Sequence, residues 1–239
     1  MLGPGDGEVQ IYGPARARTT ISARTGSRDI HQTVWEIGSG RSPVVVNPQA
    51  EEVLYTASGS GRCQIGGSLH DLAPGTGAFV PPGKPYYLEN PNPELLVVIA
   101  VCCPQDAGRI IGGPAPPAAA ESRPLTVCEQ EQQPLAAGAD REFKYLVDAR
   151  LGCAGVTQFV GFIPPSKAPF HHHTYEEAIY IVQGEGIVHT ESGSAPYGPG
   201  SCIYLPRLVK HCLENPGTTP VRLVGVFHPA GSPAAAYED

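Results

Sequence analysis

The chain has 239 residues, room for one large β domain or two of ordinary size. Gly (29) and Pro (26) together approach a quarter of it while only 16% is charged, a balance that excludes a helical bundle and favours short strands joined by tight turns. A formal net charge of −7 offers no field for a phosphate backbone, and no apolar run approaches the roughly 18 residues that span a bilayer, so neither nucleic acid nor a membrane is an expected partner. The opening Met1-Leu2-Gly3-Pro4-Gly5-Asp6 lacks the basic and apolar regions of a signal peptide, which predicts a non-exported, cytoplasmic protein. The seven cysteines are odd in number, include no C-x-x-C pair and sit partly in apolar runs such as Val101-Cys102-Cys103, so they read as reduced small hydrophobes.

In chain order the first strand signal lies near Thr19-Thr20-Ile21, and everything after it is organised by a repeat. At a constant offset of 125 residues Glu177 matches Glu52, Tyr180 matches Tyr55, Gly184 and Gly186 match Gly59 and Gly61, and Leu213-Glu214-Asn215-Pro216 matches Leu88-Glu89-Asn90-Pro91. This predicts a tandem duplication with residues 1–104 as the first copy and 125–239 as the second. Residues 105–124, centred on Gly112-Gly113-Pro114-Ala115-Pro116-Pro117, read as a linker that builds neither strand nor core. Glu129-Gln130-Glu131-Gln132-Gln133 is polar all round and reads as a solvated loop. Strands are then expected at Phe143–Val147, Val156–Val160, Ala178–Val182, Ile187–Thr190, Ser201–Leu205 and Val221–Phe227, each rich in β-branched or aromatic residues and bounded by turn formers.

The chemistry concentrates in Phe170-His171-His172-His173-Thr174-Tyr175-Glu176-Glu177. Strand side chains alternate, so His171 and His173 share a face and His172 takes the other. Glu177 begins the next strand run, and His211 follows a turn that can bring it alongside. Three neutral imidazoles and a carboxylate suit a divalent first-row ion and leave positions open for water or substrate. Lys167, Arg207 and Lys210 flank these residues and are candidates for orienting an anionic substrate; Tyr180 and Tyr204, on adjacent strands, are candidates for donating a hydrogen bond or a proton. Gln158 either faces solvent or lines the cavity. His31, His70, His189 and His228 have no partner at ligand spacing.

The spacing His171-x-His173-x3-Glu177-x6-Gly184, followed by Gly200-x5-Pro206-x4-His211-x3-Asn215, resembles the two motifs of the cupin superfamily, and the duplication makes the chain resemble a bicupin over nearly its whole length. The resemblance implies an all-β fold of two tandem double-stranded β-helix (jelly-roll) barrels, the second holding one divalent transition metal per chain through His171, His173, Glu177 and His211. Fe(II) comes first, with Mn, Ni, Zn and Cu as alternatives. Leu208 stands where the family usually has Gly, which Gly83 retains in the first copy; a leucine there suggests a turn without positive φ and an apolar group at the pocket mouth. At the same offset His171, His173 and His211 fall on Val46, Pro48 and Tyr86, so the first barrel is expected to be metal-free and to offer a dimer-like packing surface; a small-ligand site at Tyr55, Tyr86 and Tyr87 is the lesser reading.

The ligand set resembles that of cupin dioxygenases, so the expected activity is oxygen insertion into a small organic substrate, with Tyr180, Tyr204 and Arg207 as catalytic candidates. A carboxylate is the substrate class that flanking cations would orient, and a homodimer is compatible with the fold. The alternatives are a non-redox hydrolase, lyase or isomerase, as in bicupins resembling ureidoglycine aminohydrolase, and a metal- or ligand-binding protein without turnover.

Overall fold

Short β-branched and aromatic runs cut by Gly, Pro and Asn pair antiparallel in every ladder of the computed structural model, which describes residues 1–105, 108–117, 124–137 and 140–234. In the first half, one sheet runs in the order Glu8–Tyr12, Ala15–Ile21, His31–Ile37, Leu96–Cys103, Glu51–Ser58, Thr76–Val80, and a second is built on Val45–Val46, Tyr86–Asn90, Gly61–Ile65 and Ser68–Leu72. The second half repeats the plan. Glu142–Val147, Thr157–Ile163, Val221–His228, Glu176–Gln183 and Cys202–Leu205 form one sheet, and Ser166–Lys167, His211–Asn215, Gly186–Thr190 and Gly193–Tyr197 the other. Each half is a two-sheet jelly roll with its own buried interior. Helix among the described residues is confined to three single 3-10 turns. None is long and apolar enough to cross a membrane.

The offset of 125 holds from Glu51–Ser58 and Glu176–Gln183 onward. Before that it is 126: His31–Ile37 corresponds to Thr157–Ile163, and the 3-10 caps Ser22 and Gly26 correspond to Asp148 and Gly152. The first copy therefore carries one extra residue just ahead of its Glu51–Ser58 strand.

The two halves meet through reciprocal devices. Leu2 bridges Cys202 at the edge of the second barrel, while Thr126–Cys128 pairs with Thr76–Ala78 at the corresponding edge of the first. Each copy thus lends its opening residues to the other's sheet. Glu51 accepts hydrogen bonds from the Ala154 and Gly155 amides (2.9 and 2.8 Å), and its repeat partner Glu176 accepts from the Arg28 and Asp29 amides (2.9 and 3.0 Å) and the Ser27 hydroxyl. Alternation along each strand explains the pair: Glu51 and Glu176 face the opposite barrel while Glu52 and Glu177 face inward.

Three expectations change here. Residues 125–128 pack with the first barrel, since Leu125 is buried in its core and Thr126–Cys128 completes its sheet. Glu129 is no solvated loop residue: it is buried, ion-pairs with Arg222 and accepts a hydrogen bond from Tyr55, joining the halves through a charged pair. The linker also contributes structure, because Ile110–Ile111 pairs with Val45–Val46; residues 118–123 lie outside the described residues.

Burial pushes the Glu176 carboxyl up, but hydrogen bonds from Tyr204, the Arg28 and Asp29 amides and Ser27 outweigh it and hold the group below the usual carboxylate range. A depressed folded-state value stabilises above the unfolded value, roughly 4.3, and that contribution is lost as pH falls through the folded one. Acidification from pH 7 towards pH 3 is therefore expected to lower the urea midpoint more for the wild type than for Glu176→Gln. Equal losses in the two proteins would remove Glu176 from the joint.

Candidate metal centre

His171 and His211 form a two-residue antiparallel bridge, with His171 N to His211 O at 3.0 Å and the reverse bond at 2.9 Å, so both side chains leave neighbouring strands on the inner face. His173, two residues on, follows the same face, and His172 does not line the cavity. The imidazole donor atoms of His171, His173 and His211 lie within 4.8 Å of one another. Glu177 Oε2 is 3.8 Å from His173 Nε2 and 4.0 Å from His211 Nε2. Nδ1 of His211 lies 2.8 Å from the Val209 carbonyl and Nδ1 of His171 lies 3.2 Å from that of Pro169. A carbonyl partner requires the proton on Nδ1, which leaves each Nε2 lone pair directed at the common centre. His173 stacks on Tyr175, ring centroids 4.9 Å apart.

Burial drives the basicity of His211 down to about 4 and lowers that of His171, so these imidazoles are neutral near pH 7. Burial raises Glu177 to about 8, opposed by the positive charge of Arg141. Nε2 of His211 is buried without a hydrogen-bond partner. A buried orphan acceptor among two more imidazoles and a carboxylate fits a divalent transition ion, and His171, His173, Glu177 and His211 are the residues that would hold it.

The four groups form the floor of a cavity of about 390 Å³ whose walls are mainly apolar, with Phe143, Phe159, Ile163, Ile179, Leu223 and Phe227 prominent. Apart from the four floor residues, the ionisable groups lining it among the described residues are Arg141 and Glu142. Arg141 was not singled out by any spacing pattern. Its counterpart in the first copy, by strand register, is the buried Ala15, and a charged residue replacing an interior alanine is the one signal that comparison of the copies offers. Tyr175, which orients His173 and donates to the Ser232 carbonyl at 2.8 Å, is the other residue that sequence reasoning missed.

Tyr180, Tyr204 and Arg207 do not line this cavity. Tyr180 packs in the core shared with the first barrel. Tyr204 donates to Glu176 at 2.6 Å, and Arg207 ion-pairs with Asp29 of the first barrel at 2.7 Å. All three serve the joint between barrels: strand alternation turns Tyr180 and Tyr204 away from the Glu177 face, and Arg207 lies in the turn that follows Cys202–Leu205. Lys167 pairs with Glu214 on the surface, Lys210 is not among the lining residues, and Gln158 is buried against Gly77 of the first barrel. Leu208 departs from expectation: its φ is +64°, and its side chain is 63% exposed outside the cavity. The turn demands the left-handed conformation because Leu208 N must reach the His173 carbonyl (2.7 Å), as Gly83 N reaches that of Asn47 (2.8 Å).

That equivalence corrects the alignment of the first barrel. Val45, which pairs with Tyr86 as His171 pairs with His211, replaces His171, and Asn47, rather than Pro48, replaces His173; the extra residue between Asn47 and Glu52 accounts for the shift. Glu52 is fully buried there. Asn47 and Tyr86 donate to its two oxygens, and the guanidinium of Arg109, delivered by the linker, sits 3.5 Å away. Where the second barrel gathers imidazoles, the first holds its carboxylate against an internal cation.

A family model described as the Cupin domain matches residues 33–102 and again 159–227, and the chain belongs to that family, as a bicupin. Over 65 residues it is 32% identical to the uncharacterized protein MJ1618 of Methanocaldococcus jannaschii, a match spanning 27% of this chain and 52% of that protein. Among solved structures, a deletion mutant of Bacillus subtilis oxalate decarboxylase superposes over 97% of this chain and 77% of its own with a TM-score of 0.77 at 15% identity; the same enzyme at pH 4.6 gives 0.77 over 97% and 76%, also at 15% identity. At that identity the likeness is one of fold.

Proposed function

We propose that the chain is a metal-dependent enzyme whose second barrel holds one divalent transition ion on His171, His173, Glu177 and His211 and carries out dioxygenation of a small organic molecule at Fe(II). The observation that carries this reading is the convergence of three imidazoles and one carboxylate on the floor of a mainly apolar cavity. A bound Fe(II) supplies open coordination positions and an accessible second oxidation state. The imidazoles stay neutral through burial, Glu177, which burial favours as the neutral acid, would give up its proton to serve as the anionic ligand of a bound ion, and the Val209 and Pro169 carbonyls fix the ring orientations. Phe143, Phe159 and Phe227 keep water from the reacting centre. With only Arg141 and Glu142 as further ionisable lining groups among the described residues, the walls offer little general acid–base chemistry, which favours a reaction driven at the ion.

A redox-neutral step at Mn, Zn or Ni is the second reading, and the fold shared with oxalate decarboxylase, an enzyme named for acting on a carboxylate, supports it. The test is oxygen uptake by the Fe(II)-loaded protein across a panel of small organic acids. Turnover should require O2 and vanish when Zn(II) replaces Fe(II), which has no counterpart second oxidation state in zinc. Full turnover under strict anaerobiosis would overturn the dioxygenase reading in favour of the redox-neutral one.

A further inference from the structure

Arg141 stands at the start of the Glu142–Val147 strand, in the wall of the cavity beside the candidate metal ligands. One Nη donates to the Leu213 carbonyl on the strand that also bears His211, which ties the guanidinium to the metal side of the cavity. Its Nε is buried without a hydrogen-bond partner. No carboxylate among the described residues lies within ion-pair distance of it, in contrast to Arg109, Arg207 and Arg222, each of which has one. A guanidinium left buried without an ion-pair contact in a mainly apolar pocket is costly unless something with a matching charge enters.

We propose that Arg141 is the residue that selects the substrate, and that the substrate is a small monocarboxylate with an apolar, aromatic or branched body. The planar fork matches a carboxylate through two parallel N–H···O bonds and fixes its orientation. The body then lies against Phe143, Phe159 and Phe227, with its functional carbon held towards the floor. About 390 Å³ is near the lower end of the roughly 300–1,000 Å³ of small-molecule pockets, which limits the body to about one ring or a short branched chain. A phosphate ester fits less well, since its bulkier tetrahedral head carries more charge than the one guanidinium offers and leaves less of the cavity for an apolar body. The proposal rests on the metal reading only for which end of the substrate reacts.

The test is calorimetric titration of the metal-loaded protein with benzoate, benzamide and phenyl phosphate, alongside elemental analysis and thermal melting of each variant. Benzoate should bind in the millimolar range or tighter and at least tenfold more tightly than either analogue. Arg141→Gln should weaken benzoate by roughly 10- to 100-fold, the scale of a lost charge-assisted pair, while leaving benzamide affinity and metal content unchanged. Arg141→Lys keeps the charge without the fork and should fall between the two; it also serves if the Gln variant melts below the assay temperature. The proposal is overturned if benzoate does not bind, if benzamide or phenyl phosphate binds as tightly, or if both variants keep wild-type benzoate affinity. Wild-type protein that takes up no metal would overturn the metal reading, and if it still discriminates benzoate from benzamide through Arg141 this proposal stands.

Discussion

Alanine in place of His171, His173 or His211 is expected to reduce bound metal from one equivalent per chain to near zero and to abolish turnover. Each imidazole is one of the four candidate donors that converge on the centre among the described residues. Loss of an outer partner alone weakens metal sites by roughly 10- to 100-fold, so loss of a donor itself has the larger effect. The wild-type stoichiometry is set by the asymmetry of the barrels: Val45, Asn47 and Tyr86 stand where the histidines would, and Arg109 already neutralises Glu52. Elemental analysis of tag-free protein gives the readout, with circular dichroism to confirm that each variant keeps its β structure. A full equivalent retained in all three variants would sink the assignment, and a wild-type value near two would show that the first barrel also binds an ion.

Arg109→Met is expected to destabilise the protein by roughly 3–5 kcal/mol, the scale for removing one partner of a buried ion pair. Glu52 has no exposed surface, and burial pushes its carboxyl up against the opposing influence of Arg109, Tyr86 and Asn47. Without the guanidinium, the folded chain must hold a buried charge or take up a proton that the unfolded chain releases more easily. The loss should therefore deepen as pH rises above the ordinary carboxylate value. Glu52→Gln in the Arg109→Met background removes that charge and should recover much of the stability, so the two changes combine to far less than their sum. Urea denaturation of the four proteins at pH 6 and pH 8 measures the coupling. A single-variant loss below about 1 kcal/mol would make Arg109 a bystander.

The barrels and their tandem order were legible because turn glycines, prolines and the Leu-Glu-Asn-Pro motif recur at a fixed interval, and hairpin β folds are built from such punctuation. The ligand cluster was legible because His171, His173 and Glu177 lie close in sequence. Register across the loop was not. An extra residue between Asn47 and Glu52 is invisible to a single offset, and only the shared hydrogen bonds of Leu208 and Gly83 reveal it. Tyr180 lies three positions after Glu177, an odd step that alternation places on the other face, and Tyr204 pairs with Ala178 on that same outer side. Their burial against the first barrel depends on how two copies dock, which no local pattern encodes. Arg141 carries no motif at all. It reaches the site through the barrel's closure, a long-range event.

The exchange of opening residues also bears on how this chain meets others of its kind. The outer edges of Thr76–Val80 and Cys202–Leu205 expose backbone donors and acceptors that could template pairing with any passing strand. Here both are engaged from within, by Thr126–Cys128 and by Leu2. A half-length copy would bare its edge and could satisfy it only by recruiting a neighbour, each neighbour offering a fresh edge in turn unless a closed pair formed. Fusing the copies turns that intermolecular appetite inward and ends it after one round, so the duplication protects the molecule against polymerising through these edges.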